Sequence, residues 1–252
     1  MHEADPKHNA LLNALPTTAY APLLPHLQLT QLALGHSLYE SGEQMQYVYF
    51  PVDSIVSLLY TTKDGASAEI AMAGPEGMIG VALFMGGGST PDRAAVQSAG
   101  CAYRLQAAVL KNEFKENRAL RELLLRYMQA LFTQMAQTAV CNRHHSVRQQ
   151  LCRMLLSVRD RAPSDELHLT HETIAGMLGV RRESISQAAK DLQDTGLINY
   201  QHGRISVRNR VALEAAACEC YSVVKREYCR LLHRPGNALR GNNTHGGKRC
   251  KP

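Results

Sequence analysis

No stretch of this 252-residue chain approaches the roughly 20 consecutive apolar residues that cross a bilayer, so no membrane partner is expected. Its first residues, MHEADPKHNALL, lack the basic start of a secretory leader. Cysteines occur at 101, 141, 152, 218, 220, 229 and 250, an odd number with no Cys-x-x-Cys pair. Reduced thiols in a cytoplasmic protein fit that usage. Histidine is missing between His36 and His144. Strands in that interval therefore lack the clustered His and carboxylates that a metal enzyme of cupin type needs, and no enzyme activity is expected. No internal repeat is evident.

The residues that are present divide the chain in two. Apolar residues make up 45%, ample for real cores. The length suits one large or two modest domains. Residues 143–252 carry 19 Lys and Arg against 10 Asp and Glu, a net of +9, whereas residues 1–142 carry 9 against 12, a net of −3. A basic half joined to an acidic half is the pattern of a DNA reader attached to a separate control domain.

The texture changes along the chain. Residues 9–15 and 19–27 read as short helices broken by Pro16, Pro22 and Pro25. Between 29 and 104, short β-prone runs (47–50, 54–61, 68–71, 94–98 and 102–105) alternate with Gly-rich turns, which suggests an antiparallel barrel or jelly roll. After Leu110 the pattern is helical. Leu120, Leu124, Tyr127, Leu131, Gln134, Thr138 and Cys141 alternate in spacings of four and three, a heptad seam. A helix over 117–142 would be about 39 Å long. Such a seam either lies on the chain's own barrel or pairs with a second copy, and a two-fold DNA site favours the second. Another helix is expected over 144–161. One continuous helix is expected over 211–232, on which Cys218 and Cys220 fall about 200° apart and cannot face one ligand. They are read as core cysteines, and no metal site is expected.

Residues 170–207 carry the most specific pattern. A helix over 171–178 has Thr170 as N-cap and Glu172 in its first turn, where the helix dipole favours negative charge. Ala175 permits a close crossing and Gly179 a tight turn. A second helix over 182–194 stops at Gly196. Ile174, Leu178, Val180, Ile185, Ala188 and Leu192 lock the pair, leaving Arg181, Arg182, Glu183, Ser186, Gln187 and Lys190 outside. This is a helix-turn-helix whose second helix carries groove-reading side chains. Residues 197–200 and 204–207, around Gln201-His202-Gly203, form a wing.

Roll, long helix and winged helix-turn-helix in that order resemble the Crp/Fnr family of bacterial transcription regulators, over about residues 10–210. Where that family's recognition helix usually reads Ser-Arg-Glu-Thr-Val-x-Arg, this chain reads Arg181-Arg182-Glu183-Ser184-Ile185-Ser186-Gln187. The resemblance implies that Arg182 contacts guanine and Glu183 a cytosine amine, with Ser184 near the phosphates. Arg181 replaces a capping Ser and adds charge near phosphate. Gln187 replaces an Arg and suits adenine, so the half-site should differ from the family's usual one. Thr170, Ser186, Lys190 and the wing residues His202 and Arg204 complete the expected DNA-facing set.

Members that bind a cyclic nucleotide use a Gly-Glu-x-Ala…Arg-Ser/Ala-Ala cassette. The similar stretch here is Gly77-Met78-Ile79-Gly80-Val81-Ala82…Asp92-Arg93-Ala94-Ala95. Arg93 falls at the phosphate position, with Gly80 and Ala94 beside it as candidate effector positions. The Glu position is apolar, as Met78 or Val81, and Asp92 stands beside Arg93 as a surface ion-pair partner. Normal cyclic-nucleotide binding is thus disfavoured. The first cysteine, Cys101, comes too late for the family's iron–sulfur branch, and the His gap argues against haem.

The resulting expectation is a two-domain α+β protein: an antiparallel jelly roll (9–110), a dimerisation helix (111–142) and a winged helix-turn-helix (143–210). A further helix (211–232) and a disordered basic tail (233–252) follow. It would bind double-stranded DNA as a homodimer, through a seam of Leu120, Leu124, Tyr127, Leu131 and Gln134. RNA polymerase is the further partner such a regulator can engage.

Overall fold

The computed structural model describes residues 5–232, so the expected basic tail at 233–252 lies outside the described residues. The chain starts with short helices α1 (Ala10–Ala14) and α2 (Thr17–Tyr20). Asn9 fixes them. Its Oδ1 accepts from the backbone N–H groups of Leu11 and Leu12, and its buried amide donates to the carbonyls of Pro51 and Gly77. Every polar atom of this buried side chain is thus paired, as burial demands.

Seven strands follow: β1 (Gln28–Leu32), β2 (Ser37–Tyr39), β3 (Tyr47–Pro51), β4 (Ile55–Thr61), β5 (Ser67–Ala73), β6 (Arg93–Ser98) and β7 (Gly100–Gln106), with the one-turn helix α3 (Ala82–Met85) between β5 and β6. They make two antiparallel sheets, ordered β1-β7-β3 and β2-β6-β4-β5. Val48, Phe50, Val56, Leu58, Val96 and Leu105 point inward and close the sheets into a roll with one core. β1 and β2 were not among the expected strands. Residues 28–31 are exposed or half-buried and mostly polar, so they show no alternation for a pattern to find.

Helix α4 (Ala107–Glu116) leads to α5 (Arg118–His144), where Asn117 serves as N-cap through Leu120 N–H. The seam expected to face a second copy is buried within this one chain. Leu120, Leu124, Tyr127 and Leu131 belong to the roll's core. Tyr127 Oη donates to the Met78 carbonyl at 2.9 Å, and Gln134 Nε2 donates to the Met72 carbonyl at 3.0 Å. The opposite face of α5 carries a second stripe, which stays open: Leu125 and Phe132 are each 54% exposed and Val140 45%. The heptad period was legible, but a period does not say what a stripe packs against.

After α5 come α6 (Val147–Arg161), β8 (Glu166–His168), α7 (His171–Leu178), α8 (Arg182–Asp194), β9 (Ile198–Gln201) and β10 (Arg204–Val207). Ser146 caps α6 in a capping box with Gln149. The single helix expected over 211–232 is two: α9 (Arg210–Ala216) and α10 (Glu219–Leu232). α10 returns along α5, and this is the most extensive helix–helix packing among the described residues. Tyr228 and Leu231 thereby enter the roll's core, and Tyr228 Oη donates to Gln134 Oε1 at 3.1 Å.

The two halves also share side chains. Ile55 and Met72 of the roll sit in the second core, with Leu151, Leu155, Ile174, Ile185, Leu192 and Leu213. α7 rests on β5, where Gly179 approaches Ala68. Arg161 at the end of α6 pairs with Glu76 of the roll, Nε to Oε1 at 2.6 Å, and both are largely buried. Among the described residues, no helix is long and apolar enough to cross a membrane.

Candidate nucleic-acid interface

Local sequence dictates the shape of the basic half. Thr170 Oγ1 accepts from Thr173 N–H at 3.1 Å and caps α7. Gly179 takes the left-handed conformation (φ 65°) that ends α7 after Leu178 and turns the chain within three residues. Arg181 then opens α8 in extended conformation, with no side-chain cap bond. The amides of the first turn of α8 therefore keep their positive end toward whatever stands before it.

α8 is two-faced. Ile185, Ala188, Ala189 and Leu192 are buried against α6 and α7. Arg182, Glu183, Gln187 and Lys190 are exposed on the other side and, with Ser186, line a shallow open concavity. Gln187 Nε2 is held by Asp191 Oδ1 at 2.8 Å, which pre-aligns its amide one turn up the helix. Arg182, Glu183 and Lys190 project freely from the same face. Ser184 is half-buried at the edge of this face.

Two expected DNA-facing residues are occupied with holding the motif together. Ser186 is half-buried, and its Oγ meets His171 Nδ1 at 2.9 Å and donates to the Arg182 carbonyl at 3.2 Å. It pins α8 to the start of α7 and is no free groove reader. Thr170 spends its hydroxyl on the cap and on Thr173 Oγ1. His171 and Tyr200 were missed by sequence reasoning. Their rings stack at 4.5 Å, joining α7 to the wing. Burial, with Arg182 nearby, lowers the His171 pKa. An aromatic in β9 facing a His at the start of a helix is a signal a sequence reader could have weighed.

The wing is a three-stranded sheet, ordered β8-β10-β9, rather than the expected two-stranded hairpin. β8 pairs with β10 (Ile205 opposite Leu167), which stiffens the wing from behind. His202 and Gly203, at φ 50° and 77°, make the two-residue turn that suits a twisted hairpin, and His202 is exposed at its tip. Arg204 is exposed and pairs loosely with Glu166 at 3.4 Å.

The expected effector positions are less open. Gly80 (φ 97°) packs its backbone against Val48 and Tyr47, and Ala94 is fully buried in β6. Of the two residues that could stand at the family's Glu position, Met78 is buried and Val81 half-buried. Asp92 is not the surface partner of Arg93. It is buried and accepts from Tyr39 Oη at 2.9 Å. Arg93 is half-buried, with its Nε enclosed and without a hydrogen-bond partner among the described residues.

The family model described as a Crp-like helix-turn-helix domain matches residues 149–216, and that of a cyclic nucleotide-binding domain matches residues 29–117. No curated protein matches the chain. Among solved structures, FixK2 from Bradyrhizobium japonicum is 18% identical, with a TM-score of 0.66 over 76% of this chain and 98% of its own. A CRP-family transcriptional regulator from Thermus thermophilus is 23% identical, with a TM-score of 0.60 over 75% of this chain and 96% of its own. CLP from Xanthomonas campestris, a c-di-GMP-responsive global regulator, is 14% identical, with a TM-score of 0.61 over 77% of this chain and all of its own.

Proposed function

Because this chain belongs to the Crp/Fnr family of transcription regulators, we propose that it binds a two-fold operator as a homodimer and reads each half-site with α8. One observation carries the reading: Arg182, Glu183, Gln187 and Lys190 stand exposed on one face of a helix whose other face is locked into the core. Arg182 has the fork that matches guanine O6 and N7, Glu183 accepts from a cytosine amine, and Gln187 suits adenine. Arg181 and Lys190 take phosphates, as do the α8 amides. His202 and Arg204 reach the backbone from the wing.

The second copy docks on the open stripe of α5. Leu125, Phe132, Ala136 and Val140 lie on one face at near-heptad spacing and are all exposed in the single chain. The buried face, with Leu120, Leu124, Tyr127, Leu131 and Gln134, is the spine of the roll and leaves nothing for a partner. A helix pair along the open stripe brings two α8 helices to one side of the dimer, as successive major grooves require.

The effector domain has the cyclic-nucleotide-binding fold with an altered cassette. Neither Met78 nor Val81 offers an acceptor for a ribose hydroxyl, and Asp92, next to Arg93 in the chain, is buried against Tyr39. A second reading, cyclic-nucleotide binding through Arg93, is favoured by the enclosed, unpartnered Arg93 Nε. Calorimetry with cyclic AMP, cyclic GMP and c-di-GMP separates the two. Heat of binding that disappears in Arg93→Ala would establish the second.

Selection of bound sites from random DNA, followed by anisotropy at two salt concentrations, tests the main reading. The expected result is a palindromic site, with affinity that falls steeply with salt. Binding that ignores sequence and competitor DNA would overturn it.

A further inference from the structure

Four donor atoms converge where the long helix ends. Cys141 lies in the last turn of α5 and His145 is its C-cap, four residues on and therefore on the same side. Cys218 sits in the break before α10 and Cys220 in its first turn. The break places both thiols on one point, which the single helix expected from the sequence could not do. The three Sγ atoms and one ring nitrogen of His145 all lie within 4.8 Å of one another. Cys141 Sγ is 3.5 Å from Cys218 Sγ, and Cys220 Sγ is 3.6 Å from His145 Nδ1.

We infer that Cys141, His145, Cys218 and Cys220 bind one zinc ion per chain, in a closed tetrahedral site. Bond lengths of about 2.3 Å to sulfur and about 2.0–2.1 Å to nitrogen give tetrahedral edges of about 3.8 Å between sulfurs and about 3.6 Å between sulfur and nitrogen. The two closest pairs, at 3.5 and 3.6 Å, lie near these edges, and every other pair falls within 4.8 Å. A cubane iron–sulfur cluster spreads its thiolates over four separate irons and needs a wider cage than this one. The donor set, three soft thiolates and one imidazole, is that of structural zinc.

The surroundings complete the site. His145 Nε2 is 3.3 Å from Glu219 Oε2, so Nε2–H donates to the carboxylate and the lone pair of Nδ1 is left toward the thiols. That is the carboxylate–histidine–zinc arrangement. Cys141, Cys218 and Cys220 are buried and form a small cluster of their own, apart from both main cores. Gln150 Nε2 donates to the carbonyls of Cys141 and His145, at 3.3 and 2.9 Å, and holds the chain as it leaves α5. The next residue, Ser146, caps α6. The ion would therefore tie α10 to the junction between the long helix and the DNA-binding half, and fix the angle at which α8 is presented. The site itself stands independently of which operator is read.

The test uses the full chain without a histidine tag, expressed with zinc and purified under anaerobic, reducing conditions. Mass spectrometry should find one zinc per chain. Cobalt exchange should give thiolate charge-transfer bands and the intense visible bands of a tetrahedral ion. Cys218→Ser combined with Cys220→Ser should abolish both, with retained helicity checked by circular dichroism. Should that double variant fail to fold, His145→Ala and Glu219→Gln decide, each losing about tenfold or more in a chelator competition. Folded wild-type protein with no stoichiometric metal and no cobalt spectrum would overturn the assignment. Full metal retention in the ligand variants, or iron with acid-labile sulfide, would do the same.

Discussion

Phe132→Glu distinguishes the two faces of α5. In one chain Phe132 is 54% exposed, so roughly 100 Å² of its surface remains in water. If the open stripe is the dimer seam, two copies bury roughly 200 Å², about 5 kcal/mol gross at 25 cal/mol per Å². Association costs take part of this back, and a net loss of about 3 kcal/mol raises the dimer dissociation constant about a hundredfold. Two carboxylates facing each other across the two-fold axis add repulsion. Sedimentation velocity over a concentration series should show the variant as a monomer where the wild type is a dimer, with an unchanged circular dichroism spectrum. It should bind a full operator no better than a half-site. Leu131→Ala is the contrast: Leu131 is buried in the roll's core, so its loss should cost about 2–5 kcal/mol of folding stability. If Phe132→Glu has the same mass distribution as the wild type at micromolar concentration, the open stripe is not the seam.

Arg182→Ala should weaken operator binding by about 1–3 kcal/mol and relax specificity at one base pair; anisotropy on a panel of single-base variants reads this directly. Glu69 is buried, and burial pushes its carboxyl up to about 7 from 4.5, although the Ser57 hydroxyl that donates to it, and then Arg153 and Arg161, pull the other way. The folded chain then holds a proton that the unfolded chain has lost. Stability from this group is full below pH 4.5, falls as pH rises to about 7, and is flat beyond, by at most about 3 kcal/mol. Urea denaturation of Glu69→Gln across pH 5–8 should lack that slope. Gly77→Ala should destabilise by about 1–3 kcal/mol, because the added methyl would stand 2.6 Å from Tyr127 Oη, which is fixed by its bond to Met78. Thermal melts at matched pH check it, and an unchanged melting temperature would refute it.

Much of the DNA-reading half was legible because its boundaries are set locally. Thr170 starts a helix with its side-chain cap, Gly179 and Gly196 stop helices through left-handed backbone, and the turn at His202-Gly203 bounds the wing, all of it chemistry that a sequence displays. What was not legible depends on long-range packing. The buried and open stripes of α5 have the same period, and only the folded roll decides which is which. Ser186 looked like a reader until His171, fifteen residues away, claimed its hydroxyl. The break at Ala217-Cys218 carries neither Gly nor Pro. Its only local mark is Glu219, suited to a new helix N-terminus. Missing that break hid the convergence of three cysteines.

The shared core has a consequence for how such a protein can be rebuilt. Ile55 and Met72 of the roll lie among the side chains of the DNA-binding half, and Arg161 forms its ion pair by reaching back to Glu76. Cutting the chain after α5 and grafting either piece onto a foreign partner would expose those apolar side chains and strand a buried cation, an error that typically costs several kcal/mol. The halves are therefore not interchangeable cassettes. A working chimera would have to carry residues 55, 72 and 76 along with the helices they serve.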